Sequence, residues 1–179
     1  MNKLYLASFF WGLTSFSVAL AQSAQETAQY IRDKLKGEEY EGISWKIHID
    51  DVQLNQSKFL LLYTETSDLF PGAVDTHYKS SEIDIKAMPD FKADAVGKVN
   101  DDSTFEMWCD DSYGDCVKTQ DCWKLDQNNK CSQIDVHHQA RMFLGLEGIS
   151  MEDRKRVKKA IIHLKSLFPL QKNIEMFDK

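Results

Sequence analysis

The spacing of apolar residues along this chain changes twice. In "SAQETAQYIRDKLKG", Ala24, Ala28, Ile31 and Leu35 recur at the intervals of one helix face. Ser23 and Glu26 form an S-x-x-E capping box, in which each side chain would satisfy a free backbone N–H of the first turn. Gly37 suits the left-handed residue that ends a helix. From Ile43 the period falls to two. In "ISWKIHID", Ile43, Trp45, Ile47 and Ile49 share one face and Ser44, Lys46, His48 and Asp50 the other, which predicts a half-buried strand. A short strand is expected around "VQLN" and a more continuously apolar one at "SKFLLLYTET". "EIDIKAM" alternates again, with Ile83 and Ile85 inward and Pro89 ending it. "STFEMWCD" puts Phe105, Met107 and Cys109 on one face. "CSQIDVHHQARMFLGL" reads as one long strand, bent or bulged, with Ile134, Val136, His138, Ala140, Met142 and Leu144 facing one way. "SDLFPGAVDTHYKS" and "KADAVGKVNDDS" are the longest candidate loops.

The helical period returns in "SMEDRKRVKKAIIHLKSLFP". Ser150 is the expected N-cap, with Asp153 three residues on. Val157, Ala160, Ile161, Leu164 and Leu167 or Phe168 make one apolar stripe. Lys155, Arg156, Lys158, Lys159 and Lys165 are expected in solvent, and Pro169 stops the helix. Residues 171–179 are expected to be poorly ordered. Strands bunched between two helices, with no helices alternating among them, argue against a parallel sheet. The fold class is therefore α+β: an antiparallel sheet or open barrel with an N-terminal helix and a closing C-terminal amphipathic helix.

The segment ahead of this pattern fixes the expected compartment. "MNKLYLASFFWGLTSFSVALAQ" has one lysine, an uncharged and mostly apolar run from Leu4 to Leu20, and small residues at Ala19 and Ala21. That is the pattern of a secretory signal peptide over residues 1–21, cleaved before Gln22. Ser8, Thr14, Ser15 and Ser17 interrupt the run and no basic stop follows it, so no stable membrane anchor is expected after cleavage. No cysteine follows the run to carry a bacterial lipid. Residues 22–170 then form a single secreted or periplasmic domain, long enough for a real core. The chain carries 22 Lys and Arg against 28 Asp and Glu, a net charge of −6. With no basic cluster to offset this, phosphate backbones are repelled and nucleic acid is excluded as a partner.

Three short motifs carry a resemblance. They are W-K-I at Trp45–Ile47, C-x6-C-V at Cys109–Val117 and R-V-K-K-A-x-x-H-L at Arg156–Leu164. From Ser44 to Phe168 the chain resembles a group of largely uncharacterised secreted bacterial domains with a pleckstrin-homology-like barrel. The segment "DCWKLDQNNKC", with its extra cysteine pair, departs from that pattern. The resemblance implies an open PH-like barrel and no established activity.

The stretch "WCDDSYGDCVKTQDCW" concentrates the candidate chemistry. The four cysteines are spaced C-x6-C, C-x5-C and C-x8-C. Tetrahedral zinc sites present ligands in tight pairs, and redox centres use C-x-x-C; neither spacing occurs. An even count in an exported chain implies two disulfides. Three pairings are possible, and turn chemistry favours Cys109–Cys116 and Cys122–Cys131. "DDSYGD" is rich in residues that bond their own backbone, and "WKLDQNNK" is equally loop-like. The first pair is expected opposite each other on antiparallel strands, as a doubly stapled hairpin. Asp110, Asp111, Ser112 and Asp115 supply oxygens of the kind calcium takes, but not in the EF-hand order, so a solvated acidic turn is the expectation.

The remaining residues point to no recognisable catalytic motif. There is no G-x-S-x-G elbow, H-E-x-x-H, Walker loop or dinucleotide fingerprint. His137 and His138 are adjacent in a strand and face opposite ways, with His138 expected in the core; His48 lies on a polar strand face, His77 in a loop, and His163 beside the helix stripe. Trp108 and Trp123 each neighbour a cysteine and are candidate contacts for a binding partner. These features predict a non-catalytic binding or interaction module, with neither cofactor nor metal, whose partner is an unknown protein or a small apolar ligand. The alternatives are a carrier for a small apolar ligand and a hydrolase with an unrecognised site. A sizeable pocket would favour the carrier, and polar groups converging on one histidine in a cleft would favour the hydrolase.

Overall fold

A computed structural model describes residues 23–41, 45–70, 73–90, 103–125 and 131–169. The expected signal peptide, the C-terminal tail and most of "KADAVGKVNDDS" lie outside the described residues. The chain runs through α1 (residues 23–35), β1 (Glu39–Glu41), β2 (Trp45–Asn55), β3 (Lys58–Phe70) and β4 (Ala73–Asp84). A 3-10 turn (Ile85–Ala87), β5 (Thr104–Trp108), β6 (Val117–Leu125), β7 (Cys131–Gln139), β8 (Arg141–Gly145) and α2 (Met151–Leu167) follow. Six strands form one open antiparallel sheet in the order β1-β2-β3-β4-β6-β7, and β5 and β8 form a separate two-stranded ribbon. The protein is thus α+β with a helix at each end of the strand region, and the sheet does not close into a barrel.

Both helices bury the stripes their periodicity marks. Ala24, Ala28, Ile31 and Leu35 of α1 are buried, as are Val157, Ile161 and Leu164 of α2. Each large apolar side chain so buried contributes about 1.5–3 kcal/mol. Ser150 caps α2, its hydroxyl accepting from the Asp153 backbone N–H at 3.2 Å. Gly37 adopts φ 86°, a conformation that only glycine takes without strain, and its N–H donates to the Ile49 carbonyl, turning α1 onto β2. Ser23 is itself helical, so it is not the cap that the S-x-x-E pattern suggests. Lys158 and Lys165 are also buried, against expectation. The Lys165 ammonium donates to the Phe168 carbonyl at 3.0 Å and lies 3.4 Å from Asp90; burial lowers its pKa despite that carboxylate.

The strands differ from the sequence reading in three ways. "VQLN" is not a separate strand: it continues β2 past an irregularity between Ile49 and Asp51. Most of the candidate loop "SDLFPGAVDTHYKS" is strand, because β3 and β4 pair from Lys58↔Asp84 as far as Phe70↔Ala73. The long strand from Cys131 splits at Ala140. Its first part, β7, joins the large sheet and is exposed along almost its whole length; its second part, β8, pairs with β5 and buries Met142 and Leu144. His138 therefore sits in solvent rather than in the core. The Phe105 and Met107 face of β5 is buried as expected.

Candidate functional site

The register of the large sheet lays its inward residues in rows across the strands. Leu54, Phe59, Ile83 and Val117 form the first row; Val52, Leu61, Ser81 and Thr119 the second. Ile49, Tyr63, Lys79 and Asp121 form the third, and Ile47, Glu65 and His77 the fourth. Phe59, Ile83 and Val117 share one core cluster with α2 and the ribbon. Across β3, β4 and β6 the same face becomes progressively more polar from row to row.

The polar end is a paired cluster. His77 Nδ1 lies 3.1 Å from Asp121, and Nε2 lies 3.0 Å from Asp75. Lys79 Nζ lies 3.0 Å from Glu65 and 3.4 Å from Asp121. The Trp123 ring covers His77 with centroids 4.2 Å apart. Burial alone would lower the His77 pKa, but the carboxylates of Asp75 and Asp121 outweigh it, and the pKa is raised. Lys79 behaves alike: burial opposes its charge, while Glu65 and then Asp121 hold its pKa above the ordinary value. His77 is buried and Lys79 half-buried because these partners are in place, while Asp75 stays exposed.

Beside this cluster a cleft of about 400 Å³ opens between the sheet and the ribbon. Trp45, Ile47, Leu61, Met142 and Phe143 supply apolar walls. Tyr63, Ser81 and Gln139 supply polar groups, and Glu147 supplies a carboxylate. Those polar groups are linked: Tyr63 Oη and Ser81 Oγ are 3.5 Å apart, Ser81 and Thr119 hydroxyls 3.1 Å, and Gln139 Nε2 donates to Thr119 at 3.3 Å. Burial raises the pKa of both Tyr40 and Tyr63, so both phenols stay neutral and can donate. Tyr40 meets Trp45 edge to face at 5.8 Å and lies directly over Gly145, where an added Cβ would sit 2.6 Å from its ring. A wider groove of about 580 Å³ follows α1 and β2, but Gln25, Gln29, Arg32 and Gln53 give it a largely polar lining. A third, of about 320 Å³, lies on the opposite sheet face near Leu62, Tyr78 and Ile134.

The cysteines pair as turn chemistry favours, Cys109 with Cys116 and Cys122 with Cys131, each with Cα atoms 5.7 Å apart. Only the second pair staples a hairpin, joining β6 to β7. Cys109 follows β5 of the ribbon and Cys116 precedes β6 of the sheet, so the first pair ties the two sheets together instead of lying across one hairpin. The acidic turn bonds within itself: Asp110 accepts from the Ser112 N–H at 3.1 Å and from its hydroxyl at 2.6 Å. Among the described residues no three His, Cys, Asp or Glu side chains are placed to hold a metal.

Trp108 and Trp123 are not brought together. Trp108 is half-buried at the end of β5, beside the disulfide at the start of β6. Trp123 stands seven residues beyond Cys116, roughly 20 Å along the strand. His77, assigned to a loop, turns out to be the centre of the cluster. Its signal is the alternation Asp75, His77, Lys79, Ser81, which is a strand pattern written in polar residues and therefore silent to a search for apolar alternation. Comparison with protein-family models, with curated proteins and with solved structures finds no match to this chain.

Proposed function

We propose that this protein is a non-catalytic binding module of an exported compartment, and that its ligand is a small, mostly apolar molecule with a hydrogen-bonding end. The observation that carries this reading is the 400 Å³ cleft, whose apolar walls meet a linked set of hydroxyl and amide groups. Its size and mixed lining are those of small-ligand sites. The apolar body would lie against Trp45, Met142 and Phe143, and the polar end would reach Tyr63, Ser81 and Gln139. Export is supported by the signal-peptide pattern of residues 1–21 and by two disulfides, which suit an oxidising compartment. Among the described residues no helix is long and apolar enough to cross a membrane. Kinship with secreted PH-like domains belongs to the same reading: the W-K-I motif opens β2, and the R-V-K-K-A-x-x-H-L motif lies in α2, whose stripe closes the core.

The polar groups around His77 do not favour a hydrolase. Both ring nitrogens face carboxylates, and no hydroxyl or thiol of the described residues bonds to either. A general base needs a free nitrogen within reach of the proton it takes. The test is a titration of the folded, oxidised protein with 1-naphthol and with straight-chain alcohols of increasing length, read by tryptophan fluorescence and calorimetry. One saturable site is expected, weakened at least tenfold by Phe143→Ala and by Gly145→Ala, which drives the Tyr40 ring from its place. Linear, non-saturating titrations, or binding that both variants leave intact, would remove the cleft as the site.

A further inference from the structure

We propose that β7 is a self-association edge, which pairs antiparallel with β7 of a second copy about a two-fold axis through Val136. The two edges of the sheet are built differently. β1 is three residues long and charged, with Glu39 and Glu41 paired to Lys46. That is how an edge is protected from further pairing. β7 is nine residues long, contains neither proline nor glycine, and has one charged residue, Asp135. It exposes Ile134 by 51% and Val136 by 47%, where a protected edge would carry charge. The Cys122–Cys131 bond holds β7 to β6, and their pairing is regular from Cys122↔Ile134 to Val117↔Gln139, with irregularities only beyond Cys122.

The sequence of β7 is complementary to itself in one register. With Val136 opposite its own copy, Asp135 falls opposite His137 of the second copy, Ile134 opposite its His138, and Gln133 opposite its Gln139. Asp135 and His137 lie on the same sheet face as Asp121 and Thr119, their β6 neighbours. Within one copy Asp135 stands directly beside Asp121, a like-charge pair that costs stability, and among the described residues its carboxylate makes no hydrogen bond or ion pair. The His137 ring is likewise unengaged among the described residues. An imidazole N–H from the second copy would supply the donor that Asp135 lacks, twice per dimer. The interface is isologous, and its main-chain hydrogen bonds would continue the sheet to twelve strands, the six of each copy.

Sedimentation velocity and light scattering on the oxidised full chain test this, across concentrations of about 1 to 100 µM, which bracket an ordinary specific interface. Wild type is expected to reach the mass of a dimer. Val136→Lys places two ammonium groups at the axis and is expected to give a monomer that melts like wild type at concentrations where wild type is itself monomeric. His137→Asp sets carboxylate against carboxylate and is expected to weaken dimerisation at least tenfold. The swap of Asp135→His with His137→Asp restores complementarity in this register alone, and is expected to restore the dimer. A folded swap variant that stays monomeric overturns the register. A dimer that survives Val136→Lys, or a wild type monomeric throughout, overturns the proposal, the latter leaving the edge to a strand from another protein.

Discussion

The row of Phe59, Ile83 and Val117 and the row of Glu65 and His77 lie on the same face of the same strands, yet one is apolar core and the other is charged. Two rows separate them, and what changes is the neighbour. The first belongs to a cluster with α2 and the ribbon, so its side chains exchange water for close-packed hydrocarbon. The second reaches past that cover and has to satisfy itself. Glu65, Lys79, Asp121, His77 and Asp75 do so as a chain of alternating charge, with Trp123 laid over the histidine. The cleft opens over the rows between them, where Leu61 and Ser81 of the second row and Tyr63 of the third line it. The contrast teaches that a strand face is not apolar or polar as a unit; its chemistry follows what lies above each row.

The apolar end should be the more costly to break. Leu164 is buried in the stripe of α2, and Leu164→Asp would leave a carboxylate in the core with nothing to pair it. Loss of cooperative folding is expected, read by circular dichroism and thermal melting. Lys159→Asp, on the exposed face of the same helix, is the control and should melt close to wild type. Lys158→Asp should not behave as a control, because Lys158 is buried. A Leu164→Asp protein that melts cooperatively near wild type would show that α2 does not close the core.

The charged end should break next. Asp121 is buried and serves both His77 and Lys79. Asp121→Ala takes one of two carboxylates from each of His77 and Lys79, leaving Asp75 and Glu65, and two lost charge-assisted contacts at about 1.5 kcal/mol each should cost about 3 kcal/mol. Denaturant unfolding reads it directly. His77→Leu removes the cation along with its need for carboxylates, so combining it with Asp121→Ala should cost less than the sum of the two. Strict additivity would mean that the three residues do not act as one network.

The link between the two sheets comes third. Replacing both Cys109 and Cys116 by serine removes one loop constraint without leaving an odd thiol, and should lower stability by about 2 to 3 kcal/mol. A domain with about 5 to 15 kcal/mol in hand stays folded at room temperature. Because this bond ties the ribbon to the sheet, the same variant should also loosen the cleft between them and weaken ligand there. The Cys122 and Cys131 pair, lying within one hairpin, should leave ligand affinity unchanged when replaced. Equal effects of the two pairs on the cleft would show that the sheet-to-ribbon tie does not position it.

The parts legible in the sequence are those where water sorts residues by polarity. The stripes of α1 and α2, the inward faces of β2 and β5 and the cap at Ser150 all announce themselves as apolar period or capping chemistry. The pairing of the cysteines followed from turn residues between them. Illegible was everything set by a neighbour distant in sequence. β7 reads as amphipathic, yet Ile134 and Val136 are exposed because no layer among the described residues covers their face. Asp75, His77 and Lys79 read as a polar loop because their partners, Glu65 and Asp121, come from other strands. The break at Ala140, which sends one strand to two sheets, leaves no mark in the alternation itself.

The smallest effect discriminates most between the two ends. The pKa of His77 is raised above the ordinary 6.5 because Asp75 and Asp121 stabilise its proton more than burial opposes it. The native state then holds a proton that the unfolded chain has released, so stability falls as pH rises. The contribution is fully present below the unfolded value, fades as pH climbs through the folded value, and is absent above it. Melting temperature should therefore decline between about pH 6 and pH 8, the range in which histidine changes charge. His77→Gln keeps a polar group beneath Trp123 but does not titrate, and should flatten that decline. His163→Gln, exposed on α2 and away from the carboxylates, should not. The apolar end carries no group that titrates in this window through the rows of Phe59, Ile83 and Val117, so cleft and core should separate: pH should move the charged rows and leave Leu164→Val with the same offset at both ends of the range. A His77→Gln melt that falls with pH as steeply as wild type would place the titrating group elsewhere and leave the cluster without its protonated centre.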